Sequence, residues 1–166
     1  MTKWRPDPRD VGTWVPWVRI LAAPYALVDA AVEDFPPGHE AWAWTLAAAF
    51  TAGAVVLFVA RRTPPALGLG FDLAVVSALV CLYGFEPGSP VRLLFALTAL
   101  EAGLLLGRAG ALAAAAASAP ALAVFEWRSA GRLDEPFDPG HVLGPVGIQV
   151  AVGLAVATLA RRARGD

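Results

Sequence analysis

Residues 66–107 read ALGLGFDLAVVSALVCLYGFEPGSPVRLLFALTALEAGLLLG, and this stretch is the clearest indication of how the chain folds. It contains two apolar runs, residues 66–84 and 91–107, on either side of a short hinge that contains two prolines. About 20 apolar residues in a helix cross a hydrocarbon core of roughly 30 Å. Each run is close to that length, so the stretch predicts two membrane-spanning helices joined by a tight turn.

Each of these two runs carries one carboxylate, Asp72 in the first and Glu101 in the second. A charged side chain near the centre of a bilayer costs about 2.5 to 3.5 kcal/mol on insertion scales, so such groups usually have a partner inside the protein. Arg19 is the one basic residue set within an apolar run. Counted from the cytoplasmic edge of its span, each of the three lies roughly 8 to 10 Å deep.

We therefore predict a buried cluster of Arg19, Asp72 and Glu101 in the inner half of a helical bundle. Alternatives remain open at this point, because Arg19 could extend its charge to the nearby surface. The cluster could serve structure alone, or it could titrate or bind a ligand. With two acids and one base, desolvation could keep one carboxyl protonated.

The composition agrees with a membrane protein. The 166 residues are 57% hydrophobic and 16% charged, whereas a soluble domain is about a quarter charged. Arginine outnumbers lysine twelve to one, which suggests a high-GC bacterial genome. The single cysteine, Cys81, has no partner for an internal disulfide.

The hydropathy pattern predicts an all-α fold, a polytopic membrane bundle forming a single domain of six transmembrane helices. The predicted spans are about 13–32, 42–60, 66–84, 91–107, 111–125 and 142–160. Basic residues favour the cytoplasmic side of a membrane. The tail, two of the links and the C-terminal segment hold nine of them, and the other three loops hold three. The nine are Lys3, Arg5, Arg9, Arg61, Arg62, Arg108, Arg161, Arg162 and Arg164, and the three are Arg92, Arg128 and Arg132. Both termini are therefore predicted to be cytoplasmic, in a multi-pass protein of the bacterial plasma (inner) membrane.

The three predicted outer turns share a pattern of an aromatic residue followed by Pro-Gly. They read FPPGH at 35–39, FEPG at 85–88 and FDPGH at 137–141, which is typical of type II turns. The pattern indicates either an old repeat or convergent turn chemistry. Four polar residues in these turns are candidates for sensing. They could form a metal site or a pH-sensing site, and the alternative is that they are simply solvated. They are His39, Glu86, Asp138 and His141.

Two further patterns predict helix packing. Ala22, Ala26 and Ala30 form a small-residue stripe on the face of Arg19, and Gly103 and Gly107 form a second small-residue pair. Asp29, near the outer end of the first span, is expected to face water or lipid headgroups.

The motifs of several other classes are missing from the sequence. It contains no phosphate-binding loop, zinc-ligand spacing, nucleophile elbow or basic–aromatic surface for nucleic acid. We therefore expect no catalytic, cofactor or metal site, and no nucleic-acid partner.

Several stretches resemble the N-terminal multi-span membrane region of GAF-containing sensor histidine kinases from high-GC bacteria. They are YALVDAAVEDFPPGHEAWAW at 25–44, FDLAVVSALVCLYGFEPGSP at 71–90, residues 99–103 around Glu101, and AVFEWRSAGRLDEPFDPGHVLGPVGIQVAVGLAVATLARR at 123–162. The resemblance implies that the last span continues into a cytoplasmic signalling helix. These residues include no phospho-accepting histidine segment and no ATP-binding motif, so any kinase core would lie outside them.

The sequence thus favours a membrane-embedded sensory or anchoring input module without catalytic activity of its own. Its partners would be the lipid bilayer, a second copy in a homodimer, and downstream cytoplasmic signalling domains. The alternative is a substrate-binding membrane subunit or small transporter, resembling the substrate-capturing component of vitamin importers. A purely structural membrane protein is the third possibility.

Overall fold

A computed structural model describes residues 15–60 and 64–164, and all regular structure in these ranges is helical. The helices are α1 (Val15–Val32), α2 (Glu40–Val59), α3 (Pro65–Leu82), α4 (Leu94–Leu133) and α5 (Gly140–Arg164). Short 3-10 turns, Tyr83–Phe85 and Pro90–Leu93, connect α3 to α4. Five helical stretches in the described part are long and apolar enough to cross a membrane. The predicted basic tail and the Arg61-Arg62 link lie outside the described residues.

Helix α4 is interrupted at Gly107, whose φ of +70° and ψ of −156° are not helical. Only glycine adopts this conformation without strain, because a Cβ would clash with the backbone. The sequence suggested that Gly107 was a packing residue, and this was wrong. A Cβ added there would meet nothing within 4 Å, so the glycine is required for its backbone conformation. The predicted link at residues 108–110 is helical, and the break is confined to Gly107.

The two parts of α4 run antiparallel. The guanidinium carbon of Arg92, just before α4, lies 4.9 Å from the ring centre of Phe125. In one continuous helix these residues would be about 50 Å apart. Near the break, a Cβ on Gly110 would touch the carbonyl oxygen of Ala102, eight positions earlier. Residues 94–106 and 108–133 therefore form a helical hairpin that turns at Gly107.

The second arm of this hairpin is longer than predicted, since its helix ends at Leu133 and not near residue 125. Tertiary hydrogen bonds hold the polar extension against the end of α3. Arg128 donates from Nη1 to the carbonyl of Cys81 over 2.7 Å, and the hydroxyl of Ser129 donates to the carbonyl of Gly84 over 3.1 Å. The loop before α5 is correspondingly short, residues 134–139.

All three Pro-Gly segments form β-turns closed by a backbone hydrogen bond between the first and fourth residues. His39 donates to Pro36 over 3.0 Å, Ser89 to Glu86 over 3.0 Å, and His141 to Asp138 over 3.1 Å. The predicted type II geometry was only partly right. Of the three turn glycines, only Gly38 has a positive φ, +85°.

The predicted alanine stripe on α1 is confirmed as a packing surface. Ala22, Ala26 and Ala30 are all buried, and they belong to the main core together with Ala43 and Ala47 of α2. Small side chains on both helices allow the two backbones to approach closely. The core also includes aromatic residues of α2, of α4 and of the connection between α3 and α4. These are Phe50, Tyr83, Phe95 and Phe125.

Helices α4 and α5 meet through glycine. A Cβ on Gly103 would collide with the carbonyl oxygen of Gly153, and one on Gly153 would lie 2.6 Å from Cβ of Ala111 and 3.0 Å from the carbonyl oxygen of Ala99. One α5 glycine thus contacts both arms of the hairpin. Further out, the buried hydroxyl of Ser118 donates to Oε1 of Gln149 over 2.7 Å.

We expect Gly153→Ala to separate α5 from α4 and to lower the free energy of unfolding by about 1–3 kcal/mol, the usual cost of overpacking. Gly147→Ala on the same helix is the matched control, because a Cβ there meets nothing within 4 Å. The control should be neutral or slightly stabilising. Chemical unfolding of the detergent-solubilised protein, followed by circular dichroism, measures both. Equal effects would show that the close contact does not contribute.

Candidate functional site

Three charged side chains from three helices meet inside the bundle. The Nε of Arg19 on α1 donates to Oδ2 of Asp72 on α3 over 2.5 Å, and its Nη2 donates to Oε2 of Glu101 on α4 over 2.9 Å. Arg19 is 7% exposed, Asp72 2% and Glu101 3%. The structure thus brings together the three residues predicted to cluster, and we call them the ion triad. The guanidinium does not extend to the surface.

The helical repeat of each segment places these residues inward. Arg19 lies on the buried face of α1 together with Val15, Ala22 and Ala26, at spacings of three and four residues. Asp72 shares its face of α3 with buried Leu69 and Val76. Since residues three and four apart lie on one face of a helix, a charge inserted in such a stripe must enter the core.

Gly68 makes room for the guanidinium of Arg19. A Cβ at this position would lie 2.8 Å from Nη2, 3.1 Å from Nη1 and 3.2 Å from Cζ of Arg19. The guanidinium therefore packs directly against the backbone of α3, one turn before Asp72. Gly68 was not predicted as part of the site. Its four-residue spacing from Asp72 could have indicated it, because this spacing puts both residues on the same face of α3.

A small cavity lies beside the ion triad. It is lined by the three triad residues, by Thr98 and by apolar side chains that include Ala22 and Phe50. Its size suits about one water molecule. Oδ1 of Asp72 is buried and has no hydrogen-bond partner. The hydroxyl of Thr98 is already engaged, because it donates to the carbonyl of Phe95 over 2.9 Å.

The charges of the ion triad do not cancel. Two carboxylates and one guanidinium give a net charge of −1 if both acids are ionised, and the cavity lining adds no further charged residue. A buried ion pair recovers its desolvation cost only when its remaining hydrogen-bonding atoms are satisfied. The arrangement can therefore fix three helices relative to one another, and it is suited to accept one positive charge.

Near the start of α5, two of the four predicted residues come together with a third that was not predicted. Nδ1 of His141 lies 3.1 Å from Oε1 of Glu126, and its Nε2 lies 3.8 Å from Oδ2 of Asp138. The backbone N–H of Asp138 donates to the same Glu126 oxygen over 3.3 Å. Glu126, 7% exposed, thus ties the end of α4 to the start of α5. This role was not predicted, because Glu126 lies at the edge of a predicted span.

The other two predicted residues lie in a separate aromatic region. The ring centre of His39 lies 6.3 Å from that of Phe85, and the ring of Phe35 packs edge-on against Tyr83 and Phe85 at 5.1 and 5.4 Å. Glu86 donates its backbone N–H to Tyr83 over 2.9 Å. His39 and Glu86 therefore belong to a packed turn. Within the described residues, no group of His, Cys, Asp or Glu has a geometry that could hold a metal ion.

The expectation that Asp29 faces water was wrong, since only 9% of it is exposed. Its carboxyl interacts with Tyr25, four residues earlier on α1, and with the buried Tyr83 after α3. The prediction considered only the place of Asp29 near the end of α1, and it did not include Tyr83, which covers that end of the helix. Beyond the helix, partial burial first and then the nearby carboxylate of Asp29 raise the pKa of Glu33 above its ordinary value.

The comparisons with known proteins give no family. No protein-family model, curated protein or solved structure matches this chain. The chemistry of the ion triad is therefore the strongest guide to function.

We expect Gly68→Ala to displace the guanidinium of Arg19 and lengthen at least one of its two ion pairs. The free energy of unfolding should fall by about 1–3 kcal/mol, because a buried charge loses part of its compensation. Gly70→Ala is the matched control on the same helix, since a Cβ there meets nothing within 4 Å. Unfolding of both variants in detergent tests this. A Gly68→Ala protein as stable as the Gly70→Ala protein would contradict it.

Proposed function

We propose that this chain is the membrane-embedded input module of a bacterial signalling protein of the sensor histidine kinase type, and that it has no catalytic activity of its own. The observation that carries the proposal is the ion triad, which joins α1, α3 and α4 by direct bonds. Helix α5 packs on α4 through Gly153 and leads to the basic end of the chain. A change at the triad would therefore reach α5, which packs on α4.

We further propose six membrane spans with both termini in the cytoplasm of a plasma-membrane protein. The hairpin at Gly107 supports this count, because it turns the longest apolar stretch, Pro90–Leu133, into two crossings. Exposed apolar residues such as Leu21, Val32 and Val59 are 71% to 75% accessible, which suits contact with lipid. The basic residues at both ends and at Arg108 support the inward orientation.

Single cysteines in a Cys81→Ser background test the topology. We expect Gly88→Cys and Glu135→Cys to react with a membrane-impermeant maleimide on intact cells, and Ala109→Cys to react only after permeabilisation. All three positions are exposed in the bundle. If α4 crossed the membrane once, positions 88 and 135 would lie on opposite sides, and only one of them would react on intact cells.

The alternative, a substrate-binding membrane subunit or small transporter, is less well supported. The charged groups of the triad bond to one another, and the cavity beside them has room for about one water molecule, far less than a vitamin needs. Mass spectrometry of the purified protein discriminates between the two functions. A stoichiometric small organic molecule bound to the bundle would favour the transporter.

The signalling proposal predicts histidine phosphorylation in the protein's native setting. The endogenous protein, captured with an antibody to the outer loop at 134–139, should transfer the γ-phosphate of ATP to a histidine. That histidine would lie in its own longer polypeptide or in a protein that copurifies with it. A captured mass of 17.3 kDa, with no phosphohistidine in any copurifying chain, would refute the proposal.

A triple variant separates a signalling role of the triad from a structural one. Removing only Arg19 leaves two buried carboxylates uncompensated and should cost about 3–5 kcal/mol, whereas replacing the whole triad by apolar residues of similar volume is often neutral. The combination Arg19→Met, Asp72→Leu and Glu101→Leu should therefore fold but hold phosphorylation at one fixed level. A triple variant that still responds like the wild type would show that the triad is only structural.

A further inference from the structure

We infer that the ion triad is a proton-binding site, in which one exchangeable proton is held between the carboxyl groups of Asp72 and Glu101. This inference concerns the chemistry of the site and does not depend on the proposed signalling function. It rests on three observations: an unpartnered oxygen, the approach of the two carboxyls, and the charge of the cluster.

The unpartnered oxygen is Oδ1 of Asp72. It is buried and accepts no hydrogen bond, although the other oxygen of the same carboxyl accepts from Arg19. Buried polar atoms are nearly always hydrogen-bonded, so a buried acceptor without a donor calls for an explanation. When both carboxyls are ionised, Oδ1 of Asp72 therefore has no hydrogen-bond donor.

The nearest source of that donor is the second carboxyl. Asp72 and Glu101 are close enough to share a hydrogen bond with each other, while Oε2 of Glu101 accepts from Arg19. Two carboxylates cannot hydrogen-bond, since both are acceptors only, but a carboxylic acid can donate to a carboxylate. A proton on Glu101 would supply the missing partner of Asp72.

The charge of the cluster also favours a bound proton. Arg19 from α1 neutralises one carboxylate. The rest of the cavity lining is Thr98 and apolar side chains, which include Phe50 of α2 and Val76 of α3. None of these groups carries a charge or titrates. One proton makes the cluster neutral, and the adjoining cavity has room for one water molecule, which can accept that proton when it leaves. Loss of the proton leaves like charges on α3 and α4, which repel each other.

A sodium ion would also neutralise the cluster, but the geometry favours a proton. Sodium needs several oxygen ligands around one point, whereas Thr98 is the only oxygen-bearing side chain of the cavity lining apart from the two carboxyls, and the rest of the lining besides Arg19 is apolar. No group of carboxylates and histidines in the described residues meets the requirements of a metal site. The proton requires only the one free oxygen of Asp72.

Infrared spectroscopy of the purified protein in lipid nanodiscs tests the inference. At neutral pH the wild type should show the C=O stretch of a protonated carboxyl, which should shift in D₂O because the proton exchanges. The band should be lost at alkaline pH and should be absent from Glu101→Gln, whose amide mimics the protonated acid. Glu126→Gln, which changes the other buried glutamate of α4, is the control and should keep the band.

Two outcomes would overturn the inference. One is a wild type that shows no protonated-carboxyl band between acidic and alkaline pH, a result that requires no variant to fold. The other is a neutral-pH band that persists in both Glu101→Gln and Asp72→Asn, which would place the proton elsewhere. Replacing choline chloride by sodium chloride should leave the band unchanged, and its loss on adding sodium would identify a cation site instead.

Discussion

A guanidinium inside an apolar bundle is tolerated only while its carboxylates stay in contact with it, and this constraint orders the part of the protein around it. Arg19, Asp72 and Glu101 come from three helices, so separating any one of them leaves a charge without compensation in a medium that cannot solvate it. The ion triad therefore fixes the depth and rotation of α1, α3 and α4 together. Neighbouring small residues follow from the same need, because Gly68 and Ala22 leave space for the charged groups.

The turns that join α1 to α2 and α3 to α4 are held together by different interactions. Aromatic rings pack at the turns between helices, with Phe35 against Tyr83, and arginine side chains cap the connections, with Arg92 over Phe125 and Arg128 on the end of α3. An arginine at a helix connection stabilises the fold through its planar guanidinium and its hydrogen bonds. The triad and the aromatic core meet at Phe50, which belongs to the core and also lines the cavity beside the triad.

The parts of the site that could be predicted follow from depth and helical periodicity. Counting residues from the membrane edge placed Arg19, Asp72 and Glu101 at one level, and the structure has them in contact. The chain reversal was predicted at residues 108–110, one to three positions from its place, but Gly107 itself was assigned to packing. A glycine in an apolar helix suits close packing as well as a chain reversal, and the tertiary contacts of the hairpin decide between them. Asp29 was misjudged for a similar reason, since its burial depends on Tyr83, a residue more than 50 positions away.

The composition of the triad itself argues for a role beyond holding helices together. One carboxylate would have neutralised Arg19, and a one-to-one pair would have joined two helices at lower electrostatic cost. The second carboxylate adds a net negative charge, and one buried oxygen of the cluster has no donor. Functional sites commonly contain features that weaken local stability and have no compensating contact within the fold. Because the cavity beside it is water-sized, the missing compensation must be small, positive and able to donate one hydrogen bond.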